Sequence, residues 1–245
     1  MIDYVPLWVG GAIRGRVRRD LIDIVAACPG IERVDPGLRL RDAGYSRQRR
    51  SRALQAVALQ LRLAGVIADW RNESCAVLDE HGVELARFER GAFRTLGIQK
   101  RAVHVTGWRE DGTLWIARRS ALKHADPGKL DNLAAGGVVA GESPRRSAIR
   151  ELWEEAGVPT ALSRHVDFPG MVIRSVRETR FGIHDELVIA ADISLPNSFQ
   201  PVGRDGEVEE FLCLTRAEVE AALARDEFTV EAALATRESL ERRGA

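Results

Sequence analysis

The segment from Ser143 to Gly157, SPRRSAIRELWEEAG, constrains this chain more than any other, because both its ends and both its faces can be read directly. Ser143 is a favoured N-cap, Pro144 suits the first helical position, and Gly157 suits the left-handed residue that ends a helix. The segment therefore predicts a helix from Pro144 to about Ala156. At about 100° per residue, taking Glu151 as zero places Glu154 near −60° and Glu155 near +40°. Ile149, Leu152, Trp153 and Ala156 fall between roughly 100° and 200° on the same wheel. One face carries carboxylates and the other is apolar, so the apolar side is expected to pack on a core.

The acidic face is locally unfavourable. Like charges at i,i+3 and i,i+4 cost about 0.2–0.5 kcal/mol each, and acids near a helix C-terminus oppose its dipole. Departures of this kind concentrate at functional sites. A hard divalent cation, which takes oxygen ligands, turns the repulsion into attraction, so magnesium or manganese is the natural guest. In most chains a bare Glu-x-x-Glu-Glu is only a solvated face, and the flanking residues change that reading. Gly136 and Gly137 precede the helix in a loop able to bring backbone close to a ligand or metal. Glu142 sits just before the N-cap, and Arg150 lies one turn from Glu154.

Residues 136–158 run Gly136, five residues, Glu142, seven residues, then Arg150-Glu151-Leu152-Trp153-Glu154-Glu155-Ala156-Gly157-Val158. The string resembles the Nudix signature, GX5EX7REUXEEXGU with U aliphatic, at every specified position. An accidental match at a given start is on the order of one in 10⁸. The resemblance implies an α/β fold, the Nudix α/β/α sandwich, in which this loop and helix bind Mg2+ or Mn2+ and a diphosphate, and water attacks a P–O–P link. Carried over position by position, Glu151, Glu154 and Glu155 are the implied metal ligands, Arg150 and Glu142 orient them, and Gly136 offers a backbone carbonyl. Either Glu151 or Glu155 is the implied base. A further carboxylate is expected from the loop at 203–210, with Glu207 preferred.

Beyond the signature, the chain resembles the thiamine-pyrophosphokinase-related Nudix proteins, which carry an extra N-terminal domain. The stretches that carry this resemblance are Trp70-Arg71-Asn72-Glu73, Val103-His104-Val105-Thr106-Gly107-Trp108, Leu114-Trp115-Ile116-Ala117-Arg118-Arg119-Ser120 with Lys123, Pro127-Gly128-Lys129-Leu130-Asp131-Asn132, and Asp205-Gly206-Glu207-Val208. It implies thiamine diphosphate or its oxidised analogues as substrate, released as the monophosphate plus phosphate. Trp108, with Trp115 and Trp70, could wall such a ligand. Arg118, Arg119, Lys123 and Lys129 could neutralise its outer phosphate. A nucleoside diphosphate derivative, such as ADP-ribose or a dinucleotide, is the alternative substrate, since the signature reads only diphosphate and metal. A second alternative is a metabolite-sensing regulator without turnover, whose one supporting feature is the Arg47, Arg49, Arg50 and Arg52 cluster.

The remaining sequence frames these readings. Basic and acidic residues balance at 36 each, so no overall field draws the chain to nucleic acid or a membrane, and neither is an expected partner. Cys28, Cys75 and Cys213 match neither a disulfide framework nor a zinc spacing, and no apolar run approaches a membrane span, which together predict a cytoplasmic protein. Residues 1–98 read as a small α/β accessory domain and 99–245 as the hydrolase domain. In the first, the pattern predicts a helix within Ile13–Ala27, a helix from Ser46 to about Ala64, a hairpin over Cys75–Ala86 and a short helix through Ala92 and Leu96. In the second it predicts a hairpin over Ala102–Ala117, strands at Glu186–Ile193 and Val208–Leu214, a Thr215/Glu218-capped helix and a helix from Val230 to about Arg242. The first domain could shape the pocket, act as a lid or form a homodimer.

Overall fold

The computed structural model describes residues 3–41, 44–67, 69–123 and 125–244. The chain divides into two compact units. The first comprises residues 1–100 with 139–141 and 176–186, and the second 101–138, 142–175 and 187–245.

The first unit opens with β1 (Tyr4–Val9) and β2 (Ala12–Arg18), followed after one 3-10 turn by α1 (Ile22–Ala26). The helix expected over Ile13–Ala27 is thus a strand in its first half. Gly10 and Gly11 both take positive φ, +65° and +80°, the requirement of a tight two-residue hairpin turn, and Val9 pairs with Ala12 across it. Then come β3 (Ile31–Val34), β4 (Gly37–Leu40), α2 (Arg47–Leu63), β5 (Ser74–Leu78), β6 (Glu84–Glu89) and α3 (Phe93–Leu96). The first four strands form a sheet in the order β2-β1-β4-β3, parallel only between β1 and β4. Helix α2 starts as read: the Ser46 hydroxyl accepts the Arg49 N–H, and Leu54, Val57, Ala58 and Leu61 are buried in a core shared with Leu7, Val9 and Leu38. Each large aliphatic side chain so buried contributes about 1.5–3 kcal/mol.

The remaining elements are β7 (Lys100–Arg109), β8 (Leu114–Arg119), β9 (Leu130–Asp131), β10 (Ala134–Gly137), α4 (Pro144–Ala156), α5 (Thr160–Ser163), β11 (Val172–Thr179), β12 (Gly182–Leu195), β13 (Val208–Leu214), α6 (Arg216–Ala224) and α7 (Val230–Gly244); they make up the second unit except for Lys100 and the parts of β11 and β12 within 176–186, which belong to the first. Their sheet runs β11-β12-β7-β8-β13, with β10 paired to β7 and β9 to β8. Alternation along β8 fixes the layers. Trp115 joins the core beneath α4, with Val103, Val105, Leu133, Leu152 and Ala156. Leu114 and Ile116, on the other face, join the core of α6 and α7, with Val219, Leu223, Phe228 and Leu240. Helices cover both faces, giving an α/β/α sandwich. Strands β1, β3, β4, β9, β10 and β11 add to the pattern read from sequence. Among the described residues no helix is long and apolar enough to cross a membrane.

Candidate active site

Helix α4 has the bounds its caps require. The Ser143 hydroxyl accepts the Arg146 N–H at 3.2 Å, Pro144 is the first helical residue, and Gly157 takes φ +65°. Ala148, Leu152 and Ala156 are fully buried, which turns Glu151 and Glu155 toward β10. Both glutamates are buried, at 6% and 7% exposure, which is rare for an acidic residue unless it is paired. Glu155 accepts the Ala135 N–H at 2.8 Å. Glu151 lies against Gly136, where a Cβ would come 2.0 Å from Oε1, so any side chain at this position displaces the Glu151 carboxylate.

Arg150 holds the acidic face together. Its guanidinium donates to Glu151 at 2.8 Å, to Glu154 at 3.0 Å, to the Gly137 carbonyl at 3.3 Å and to Glu142 at 3.4 Å. The Ser147 hydroxyl donates to the same Glu142 oxygen, Oε2, at 2.8 Å. Burial opposes the arginine's charge, but Glu151, Glu154 and Glu142 together outweigh it and hold the guanidinium above its ordinary pKa. The Glu155 carboxyl is held well above the usual carboxylate range, first by burial and next by Glu151. Lys123 and the Ala135 N–H act the other way, and Asp131 adds to the rise. Glu154 is half-exposed, with its carboxylate at the open side of the face.

A second element completes the acidic group. Ligand-capable oxygens of Glu155, Asp205 and Glu207 lie within 4.8 Å of one another. Strand β13 pairs with β8, Val208 opposite Arg119, and the Ser120 N–H donates to the Glu207 carbonyl at 2.9 Å. Sheet pairing thus brings the Asp205–Glu207 turn to the helix. Within the turn Gly206 takes φ +77° and Asp205 accepts the Glu207 N–H at 2.9 Å. Asp205 was one of several acidic residues in its loop, and only the pairing of β13 with β8 distinguishes it. The donor set is all carboxylate oxygen, which suits a hard divalent ion.

The expected substrate contacts separate into two groups. Lys123 pairs with Glu207 and is part of the acidic cluster. Arg119 pairs with the buried Asp131 at 2.7 Å and with the Ala125 and Asp126 carbonyls. Arg118 instead pairs with Glu210 at 2.6 Å, and Lys129 donates to the carbonyls of Asp226 and Phe228. Trp108 corrects the expectation of a ligand wall. It is 5% exposed in the core beneath α6 and α7, and its indole N–H donates to Ser239 at 2.9 Å. Trp115 is likewise core, and Trp70 is stacked by Arg62 in the first unit. Trp153, read as apolar-face, is 45% exposed and stacks under Arg204.

A mixed sheet between helical layers, with a glutamate helix braced by one arginine on one side of it, defines an α/β/α sandwich that carries a carboxylate-rich site. Residues 98–235 match the family model described as NUDIX domain, and residues 2–100 match a domain of unknown function, DUF4743. The chain belongs to the Nudix hydrolase family. It is 33% identical to Nudix hydrolase 24, chloroplastic, of Arabidopsis thaliana over 74% of this chain and 50% of the relative. It is 32% identical to Nudix hydrolase 20, chloroplastic, of the same plant over 82% and 54%. The chain therefore spans about half the length of the curated relatives it matches. The crystal structure of DR0079 from Deinococcus radiodurans shares the fold, with a TM-score of 0.50 at 22% identity, over 67% of this chain and 98% of that one.

Proposed function

We propose that this Nudix hydrolase cleaves a diphosphate with the help of magnesium or manganese, and that its substrates are thiamine diphosphate or its oxidised analogues, released as the monophosphate plus phosphate. The observation that carries the reading is the meeting of Glu155, from the signature helix, with Asp205 and Glu207, from a loop outside it. Glu151, Glu154 and Glu155, with Glu207 or Asp205, would hold the ion. When bound, it supplies positive charge at the diphosphate and lowers the pKa of water.

The protein's own groups do the rest. Arg150 keeps Glu151 and Glu154 aimed at one region while Glu142 and Ser147 keep Arg150 in place. Water oxygen bonds to phosphorus, the bond from that phosphorus to the bridging oxygen breaks, and the water proton passes to Glu151 or Glu155. Lys123 is the cation best set to meet the outer phosphate. The thiamine class is supported by the stretches in both halves of the chain that resemble the thiamine-pyrophosphokinase-related proteins. With Trp108 and Trp115 in the core, ring recognition falls to other side chains.

The test is phosphate and monophosphate release from thiamine diphosphate, its oxidised analogues, ADP-ribose, NADH and nucleoside triphosphates, with magnesium, by wild type and Glu155→Gln. Thiamine-diphosphate turnover lost in the variant supports the proposal. Turnover of nucleotides alone replaces the substrate class, and no magnesium-dependent hydrolysis of any of them points to a sensing protein instead.

A further inference from the structure

The Nudix signature leaves position 153 unspecified, yet a tryptophan stands there on the surface of α4, 45% exposed. The Arg204 guanidinium lies over that ring, 3.9 Å from its centroid. The same loop closes the end of the helix: Val202 N–H donates to the Ala156 carbonyl at 3.1 Å and Arg204 N–H to the Glu154 carbonyl at 3.2 Å. Gly157 and Val158 take the carbonyls of Trp153 and Leu152. Three of the last four carbonyls of the helix, those of Trp153, Glu154 and Ala156, are thereby satisfied, two of them by residues 202 and 204. Gly157 is required for this closure, since a Cβ there would come 3.0 Å from the Val202 carbonyl and 3.2 Å from Arg204 Nε.

This arrangement answers two difficulties at once. Helix α4 has no basic residue in its last turn, where the dipole favours one, and the acidic face makes matters worse. Arg204 supplies the missing cation from outside the helix. The next residues in the loop, Asp205 and Glu207, are the two that meet Glu155.

We infer that Trp153 and Arg204 are positioning residues, a stacked pair that sets Asp205 and Glu207 at the distance from Glu155 a divalent ion requires. The inference rests on the proposed metal site but not on its substrate. Neither side chain touches the ion or the reacting atoms; both act through the loop. Trp153→Ala leaves a better helix former on an exposed position, so a loss of metal binding in that variant cannot come from a weaker helix.

The experiment is Mn(II) titration of metal-free full-length protein, free ion read by electron paramagnetic resonance. It compares wild type, Trp153→Ala, Trp153→Phe, Arg204→Met and the Ala/Met double variant, with the unfolding temperature of each metal-free protein. The Ala and Met variants are expected to bind Mn(II) roughly three- to tenfold more weakly, the range of a stacked cation–π contact. The double variant should lose no more than either single one, Trp153→Phe should recover most of the affinity, and the metal-free unfolding temperatures should stay together. Unchanged affinity in both single variants, losses that add in the double, or a Phe variant as weak as the Ala variant would overturn the pairing. Wild type that binds no Mn(II) would overturn the metal site and this inference together, whereas tight wild-type binding with equally tight variants would overturn the inference alone.

Discussion

Gly136 and Glu151 are in contact so close that no side chain fits between them: a Cβ on the glycine would sit 2.0 Å from the carboxylate oxygen and 2.1 Å from its carbon. The glycine at position 136 in β10 is therefore steric in origin, since it lets a buried carboxylate lie against the strand. Gly136→Ala must push Glu151 out of place by about an ångström, and misplacement on that scale costs on the order of 10²-fold in rate. The expected result is a folded protein, by circular dichroism, with turnover reduced about a hundredfold and weaker Mn(II) binding. An alanine variant with wild-type turnover would remove Glu151 from the site.

Arg150 bridges Glu142, Glu151 and Glu154, and its guanidinium geometry makes four contacts that a lysine cannot reproduce. Arg150→Met removes the guanidinium that Glu142, Glu151 and Glu154 share. With the arginine partly solvated, the expected loss of stability is about 1–3 kcal/mol, measured by urea unfolding without metal. Arg150→Lys should recover part of that stability while leaving kcat well below wild type, because charge is restored without orientation. Equal recovery of both would mean that Arg150 contributes charge alone.

How far this site can be read from the chain depends on whether its geometry is local. Helix α4 with Ser143 and Gly157, and α6 with the Thr215/Glu218 box, carry their own boundaries, and the structure keeps them within a residue or two. Strand β2 lacks such a signal. Its buried positions are only Gly15 and Val17, set among arginines at 14, 16 and 18 that also suit a helix. The turn at Gly10-Gly11 and pairing with β1 decide it. Strand β11 hides for a related reason, because it is an edge strand with Val172, Arg174 and Val176 exposed. Trp108 could not be assigned to a face without knowing that α6 and α7 cover one side of β8, and Asp205 meets Glu155 only through the β8–β13 pairing.

The Glu155 carboxyl is held above the usual range first by burial and next by Glu151. A raised carboxyl pKa means that the folded chain binds this proton more tightly than the unfolded chain does. Its contribution to stability is present below the unfolded value, about 4.3, and is lost as pH rises from there toward the folded value. Metal-free Glu155→Gln should therefore melt at a higher temperature than wild type at neutral pH, with the gap closing near pH 4. Excess magnesium should reverse the order by stabilising wild type alone. Thermal melts in chelator and in magnesium, at both pH values, check this, and a variant less stable than wild type in chelator at neutral pH contradicts it.

Lys123 and Glu207 form an ion pair inside the cluster that also holds Asp205 and Glu155, and the lysine side chain is only 13% exposed. An ammonium there is a cation already seated on one of the carboxylates that the ion needs. Lys123→Met should tighten Mn(II) binding several-fold and at the same time raise KM for the diphosphate, because the same ammonium is the nearest partner for an outer phosphate. If Lys123 competes for Glu207 itself, the gain in Mn(II) affinity disappears when Glu207→Gln is already present. If it acts only through its field, the gain persists in that background, so a double-mutant cycle separates the two. Mn(II) binding unchanged in Lys123→Met would mean that the ion sits elsewhere on the acidic face, on Glu151 and Glu154 rather than on Glu207.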